Sequence, residues 1–224
     1  MKISIIIPSY HESHQLRDLV TSLEPFRKAG HEVIVVNGDA TDHTVKTIAS
    51  YVDHIIVSDK GRARQMNAGV QHATGDRYWF LHVDTTLLNP SGAYQSVLYH
   101  LNPEQWGRFS IHFDSTHFMF KIIAKMMNVR SKLSGIATGD QGIFVHQQAF
   151  QKVQGYTDIA LMEDIDLCRK LKQISRPINS HLLIQTSARR WEKHGIIRTV
   201  LLMWWLRLRY FFGADPAKLA ELYE

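Results

Sequence analysis

Ile3-Ser4-Ile5-Ile6-Ile7-Pro8-Ser9-Tyr10-His11-Glu12 opens the chain with a short apolar, β-branched run that a proline stops. Such a run over residues 3–7 reads as a strand buried on both faces. Residues 12–29 then place Leu16, Leu19, Val20 and Leu23 at helical spacing, and Pro25 kinks or ends that helix. The alternation continues with strands at 32–36, 54–57 and 78–82 and helices at 42–51 and 61–73. Strand–helix–strand alternation at this pitch predicts an α/β fold with a mostly parallel, doubly wound sheet and right-handed crossovers.

Beyond Asp84 the pattern loosens. Helices are expected at 90–101, 118–133, 164–171 and 192–212, and strands at 107–113, 142–145 and 181–185. No repeat, low-complexity tract or linker interrupts the chain. The expectation is one domain over residues 1–190, with a C-terminal amphipathic helical extension over 191–224 packed on it.

Hydrophobic residues at 45% and charged residues at 21% place the chain among soluble globular proteins. The single cysteine, Cys168, excludes an internal disulfide and reads as a packed thiol. The opening apolar run is too short for a signal peptide. Residues 196–212 come nearest to a membrane span, but Arg198, Arg207 and Arg209 interrupt them. A cytoplasmic protein is expected, with peripheral contact at the inner face of the membrane left open.

The net charge is +5, and the excess lies late in the chain: Arg189, Arg190, Lys193, Arg198, Arg207 and Arg209 face only Glu192. This asymmetry invites phosphate or an anionic surface. Zinc-finger spacing and RNA-binding aromatic motifs are both absent, so nucleic acid is not expected as a partner.

In an open parallel sheet, ligands bind beyond the carboxyl ends of the strands. The residues there are Pro8 to Glu12, Asn37 to Asp42, Asp59 to Arg64, and Val83 to Thr85. Polar, acidic and basic groups therefore converge on one edge. The dinucleotide fingerprint G-x-G-x-x-G and the phosphate loop G-x-x-x-x-G-K-[ST] are both missing, which removes the two commonest nucleotide-binding readings of such a sheet.

Four stretches taken in order carry a resemblance: Ile5 to Glu12, Asn37 to Thr44, Leu81-His82-Val83-Asp84-Thr85, and Glu163-Asp164-Ile165-Asp166-Leu167. Together they resemble the inverting family 2 glycosyltransferases of GT-A fold, over nearly the whole chain. Gly61 to Gly69, Thr138-Gly139-Asp140-Gln141-Gly142 and Ser187 to Trp191 are similar to a small bacterial subgroup labelled arsenosugar-biosynthesis glycosyltransferases. The resemblance implies a GT-A-like, Rossmann-like sheet and transfer of a sugar from a nucleoside diphosphate sugar to a hydroxyl acceptor.

It also implies roles, each beside a structural alternative. Pro8, Tyr10 and Glu12 would line the nucleobase and ribose pocket. Tyr10 offers a stacking face and Glu12 an acceptor, or Pro8 only ends a strand and Glu12 only starts a helix. Asp39 is a base or ribose acceptor, a turn residue, or both. Arg62 opens a helix after Gly61, a natural phosphate site, with Arg64 a weaker candidate. Gln65 and Asn67 are expected to reach ribose or sugar hydroxyls.

Asp84 stands where the family carries D-x-D and would hold a divalent cation, Mg²⁺ or Mn²⁺, against the diphosphate. His82 replaces the first aspartate of that motif. Imidazole suits Mn²⁺ better than Mg²⁺, and packing at the strand end competes as its role. Asp164 would be the catalytic base and Glu163 its orienting neighbour; the alternative is an acidic pair favoured by a helix dipole. Asp140, Gln141 and Trp191 are assigned to the acceptor.

Arg189-Arg190-Trp191 resembles the Q-R-R-W segment of processive members, with Ala188 in place of glutamine. Both arginines would neutralise the diphosphate. The apolar C-terminal helix packs on the domain, pairs two copies, or lies on a membrane. A non-catalytic nucleotide-sugar-binding module on the same fold is the competing function.

Overall fold

The structure, a computed structural model, describes residues 1–99 and 101–223. The opening apolar run becomes β1 (Ile3–Ser9), buried along its whole length. It pairs in parallel with β2 (Glu32–Asn37), which pairs in parallel with β3 (His54–Val57). On its other side β1 pairs in parallel with β4 (Arg77–Phe80). The sheet is completed by β5 (Thr86–Leu87), β6 (Trp106–Phe113), β7 (Phe144–His146) and β8 (Ile178–Thr186), in the order β3-β2-β1-β4-β7-β6-β8-β5. β7 runs against both β4 and β6, and β5 runs against β8. The sheet is thus mostly parallel as expected, with two reversed strands.

The sheet separates two apolar layers because side chains alternate across it. Ile5, Ile7, Val33 and Val35 point into one layer with Leu16, Leu19, Val45 and Phe109. Ile6, Ile34 and Val36 point into the other with Met66, Phe80, Phe150 and Leu167. Each such side chain, wholly withdrawn from water, contributes roughly 1.5–3 kcal/mol.

The helices follow the periodicity with local corrections. The helix expected at 12–29 is two, α1 (Ser13–Ser22) and α2 (Glu24–Lys28), with Pro25 in the first turn of the second, where its missing N–H costs nothing. Residues His43–Tyr51 form a 3-10 helix rather than an α-helix. Then come α3 (Arg62–His72), α4 (Pro90–Tyr99), α5 (Phe118–Ser134), a 3-10 turn at Gly139–Gln141, α6 (Gln147–Lys152) and α7 (Glu163–Leu171). The long helix expected at 192–212 is broken: α8 (Arg189–His194) ends at Gly195, whose φ of +86° suits glycine alone, and α9 (Ile196–Phe211) begins there. A final helix, α10 (Pro216–Tyr223), follows.

At the amino edge of the sheet, Glu32 is buried yet well satisfied. Its carboxylate accepts hydrogen bonds from Lys2 Nζ at 2.9 Å, Ser4 Oγ, and Thr74 N and Oγ1 at 2.6 and 2.7 Å. Burial works against this charge, but those donors outweigh it and hold the carboxyl down at about 2. The network ties β1, β2 and the approach to β4 at the end opposite the polar loops.

Candidate active site

The carboxyl ends of the strands open into a cleft of about 1480 Å³. Its lining includes Glu12, Arg62, His82, Asp84, Asp140, Glu163, Asp164, Arg189, Arg190 and Trp191, all singled out from sequence. Chain segments more than a hundred residues apart thus meet in one space.

Asp84 follows β4 and is half-buried. Burial raises its carboxyl pKa, the charge of Asp140 raises it further, and His82 and Arg62 pull the other way. His82 is buried, with Nδ1 3.2 Å from Asp140 Oδ1. The Cε1–Nε2 edge of its ring lies against Gly139, where a Cβ would come within 2.3 Å of both atoms. Burial would also raise Asp140, but the His82 hydrogen bond and the charges of Arg62 and Arg130 outweigh that and lower it.

Glu163 and Asp164 stand in the first turn of α7. Met162 before them adopts a left-handed backbone with φ +71°, unusual for a residue with a side chain, and this turns the chain so that the pair starts the helix at the cleft. Asp164 accepts from Gly139 N at 2.8 Å and from Ile165 N at 2.7 Å. Burial nevertheless dominates and raises its pKa. Glu163 is buried and is pushed up to about 7, by burial first and then by the charge of Asp164. A carboxylate poised to take up a proton and fixed by two backbone donors suits a general base.

Arg62 leads α3 and projects into the open cleft. Burial opposes its charge, but Glu163, Asp140 and Asp164 outweigh it and raise the guanidinium further. One cation therefore faces the whole acidic group, where an anionic ligand would meet it. Glu12 stands at the start of α1 without capping it through its side chain, so its carboxylate is left to the cleft. Burial and the charge of Asp84 raise its pKa.

Other expected residues lie elsewhere. Pro8 is buried within β1. Tyr10 is exposed at the same sheet edge, with Lys60 Nζ 4.7 Å from its ring centre. Asp39 is engaged in its own turn, accepting from Thr41 N at 2.8 Å and pairing with His11 Nε2 at 2.9 Å. These three border the loops rather than the cleft. Arg64 pairs with Asp158 at 2.9 Å, away from the acids.

Three expectations are corrected. Gln65 is buried and donates from Nε2 to the carbonyls of Ser9 and Val36 at 2.8 and 2.7 Å, clasping the ends of β1 and β2. Asn67 exchanges two hydrogen bonds with the backbone of Tyr156, at 2.8 and 3.0 Å, and so fixes the segment leading towards Glu163. Gln141 is fully buried, donating to Ser131 Oγ at 3.0 Å and accepting from Thr138 N at 3.2 Å. A side-chain amide that satisfies buried backbone in this way is not free for a sugar.

Arg189 is exposed at the cleft. The Arg190 guanidinium stacks 3.6 Å from the ring centre of Tyr223 and donates to its carbonyl. Trp191 packs edge-on against Phe113, at 5.8 Å between ring centres, so much of its surface serves the core.

Tyr223 and Arg130 are among the lining residues that the sequence reading did not assign to the site. Tyr223 closes one side from α10. Arg130, on α5, buries Nε and Nη2 with no hydrogen-bond partner among the described residues, close enough to feel Asp164 and Asp140. Its only sequence signal is a charge at the flank of an apolar helical stripe.

Comparison with known proteins bears on the family and the fold. Over 100 residues the chain is 31% identical to an uncharacterized glycosyltransferase of Mycobacterium tuberculosis, covering 42% of this chain and 38% of that protein. Over 93 residues it is 28% identical to the poly(ribitol-phosphate) beta-N-acetylglucosaminyltransferase TarS of Staphylococcus aureus, covering 38% of this chain and 16% of TarS. The match thus spans well under half of either relative. Among solved structures, the mannosyltransferase PcManGT of Pyrobaculum calidifontis, in complex with GDP-Man and Mn²⁺, superposes with a TM-score of 0.63 at 17% identity, over 82% of this chain and 56% of that one. This likeness shows the GT-A-like mixed α/β fold. The model of the family described as Glycosyl transferase family 2 matches residues 4–121, the half of the chain that carries β1 to β4 and Asp84. With more than half of its length inside that match, the chain belongs to glycosyl transferase family 2.

Proposed function

We propose that this family 2 glycosyltransferase moves a sugar from a nucleoside diphosphate sugar to a hydroxyl acceptor by a single inverting displacement. The observation that carries the reading is the meeting of Asp84, Arg62 and the Glu163–Asp164 pair in one cleft at the carboxyl edge of the sheet.

In the proposed step the acceptor hydroxyl attacks the anomeric carbon on the face opposite the nucleoside diphosphate. Asp164 takes the hydroxyl proton as the new glycosidic bond forms and the bond to the diphosphate breaks. Two backbone N–H groups hold the Asp164 carboxylate while its raised pKa suits it to receive that proton. Glu163 keeps negative charge close and sets the local balance with Arg62. Arg62 and Arg189 neutralise charge that builds on the departing diphosphate; removing one such group from an enzyme typically costs about 10²–10³-fold in rate.

A divalent cation fits this donor set. Among the described residues no group of three or more His, Cys, Asp or Glu side chains gathers to hold a metal unaided. Asp84 and Asp140 nevertheless repel one another within the cleft, and Mg²⁺ or Mn²⁺ needs only one or two carboxylates when diphosphate oxygens complete its shell. Asp84 and Asp140 would hold the ion, which would supply further neutralisation of the leaving group. The likeness in fold to PcManGT, whose structure is a complex with GDP-Man and Mn²⁺, supports this reading.

The test is turnover of a panel of nucleoside diphosphate sugars with simple hydroxyl acceptors, with the anomeric configuration of the product read by NMR. Inversion with one donor class supports the reading; retention of configuration overturns the single displacement.

A further inference from the structure

Two helices that flank the cleft expose apolar stripes. On α5 these are Phe118, Ile122, Met126, Val129 and Leu133, and Leu133 is 82% exposed. The spacing of four, four, three and four residues keeps all five on one helical face. On α9 the stripe is Ile197, Leu201, Trp204, Trp205, Leu208 and Phe211, continued by Phe212, with Phe211 and Phe212 each 77% exposed. The opposite side of α9 is the one that packs, through Thr199 and Leu206. Met126, Val129, Trp204, Trp205 and Leu208 also line the cleft, so both stripes meet at its rim.

Charge identifies the occupant. α5 and α9 carry seven arginines and lysines and no carboxylate, whereas the whole chain has a net charge of +5. The remainder of the molecule is therefore slightly acidic, and the cationic character belongs to this face. Lys121, Lys125 and Lys132 stand beside the α5 stripe, and Arg198, Arg207 and Arg209 beside that of α9. A two-fold dimer through the same face would set these cations against their own copies. An apolar stripe flanked by long cationic side chains suits an interface of hydrocarbon beneath anionic headgroups. Trp204 and Trp205 add side chains that favour that boundary, and among the described residues no helix is long and apolar enough to cross a membrane.

We propose that the α5–α9 face docks on an anionic lipid surface, so that the cleft opens onto the bilayer. An acceptor carried in that surface, with an anionic head beside Arg130 and its hydroxyl at Asp164, would reach the site without entering water. The acceptor alone rests on the transferase reading; the docking does not.

The experiment mixes the full chain with vesicles of phosphatidylcholine, with and without phosphatidylglycerol, and follows co-sedimentation and tryptophan emission. Binding is expected to anionic vesicles, weakening with salt, with a blue shift in emission. The exposed double variant Trp204→Ser/Leu208→Ser should bind roughly tenfold more weakly or worse, by the loss of inserted apolar area. The charge variant Lys121→Glu/Lys125→Glu should lose the preference for anionic vesicles. Unchanged circular dichroism and an unchanged melting temperature confirm that the variants remain folded. The idea is overturned if the chain ignores both vesicles, if the variants bind as the parent does, or if light scattering shows a dimer that these variants abolish. Vesicle binding needs no donor and no turnover, so its failure is distinct from failure of the transferase reading.

Discussion

At the residue scale, the account turns on Asp164. Asp164→Asn keeps the size of the side chain but replaces one of its two accepting oxygens by an NH2 group and cannot take a proton, and kcat should fall about 10²–10⁴-fold with nucleotide affinity little changed. Burial raises the pKa of both Asp164 and Glu163, the latter to about 7. A base is active only when deprotonated, so kcat/KM should rise with pH along a limb that lies above the ordinary aspartate range and level off beyond it. The charge of Asp164 helps to raise Glu163, so in Asp164→Asn the Glu163 carboxyl should titrate at lower pH, read by NMR; a titration that stays in place contradicts the coupling. Gly139→Ala should displace the buried His82 ring and break its bond to Asp140, lowering activity and also costing about 1–3 kcal/mol of stability. The acids were legible in the sequence because each follows a strand or opens a helix. Gln65, Asn67 and Gln141 were misread because a polar side chain near a site looks the same in sequence whether it faces ligand or buried backbone. Arg130 was missed because nothing local distinguishes an arginine turned into a cleft from one turned to water.

At the scale of elements, the sheet edge opposite the site depends on Glu32. Its folded pKa of about 2 lies below the ordinary 4.5, so its contribution is present above pH 4.5 and fades as pH falls towards 2. That difference corresponds to about 3 kcal/mol. Glu32→Gln should lower stability by a similar amount at pH 7 and flatten acid unfolding in that window, measured by denaturant titration at several pH values. Strands β1 to β4 were readable because a fully buried parallel strand is a continuous apolar run. β5, with two residues, and α6, with six, are too short to show a period. The break at Gly195 was missed because helix-compatible charged residues before it and apolar residues after it hide a single glycine.

For the whole molecule, the C-terminal helices do more than cover the surface. Leu206 of α9 and Leu219 of α10 are fully buried against Met162, the residue whose left-handed backbone starts the acidic pair. Leu219→Ala should therefore lower stability by about 2–5 kcal/mol and also reduce kcat, because Met162 loses its support. A loss of stability with unaltered kcat at a temperature where the variant is folded would separate the two. This link was invisible in the sequence, where 57 positions part the contacting residues. Alternating strands and helices showed the α/β class, but only the three-dimensional arrangement shows the C-terminus returning to the acids.

The most direct test of the central claim is calorimetric titration of the purified chain with UDP, GDP, CDP and dTDP, with and without Mn²⁺ or Mg²⁺, beside Asp84→Ala. The account predicts that one nucleoside diphosphate binds in the presence of the cation and that Asp84→Ala loses this binding. Absence of binding to any of the four under every metal condition, or binding that Asp84→Ala leaves unchanged, would contradict it.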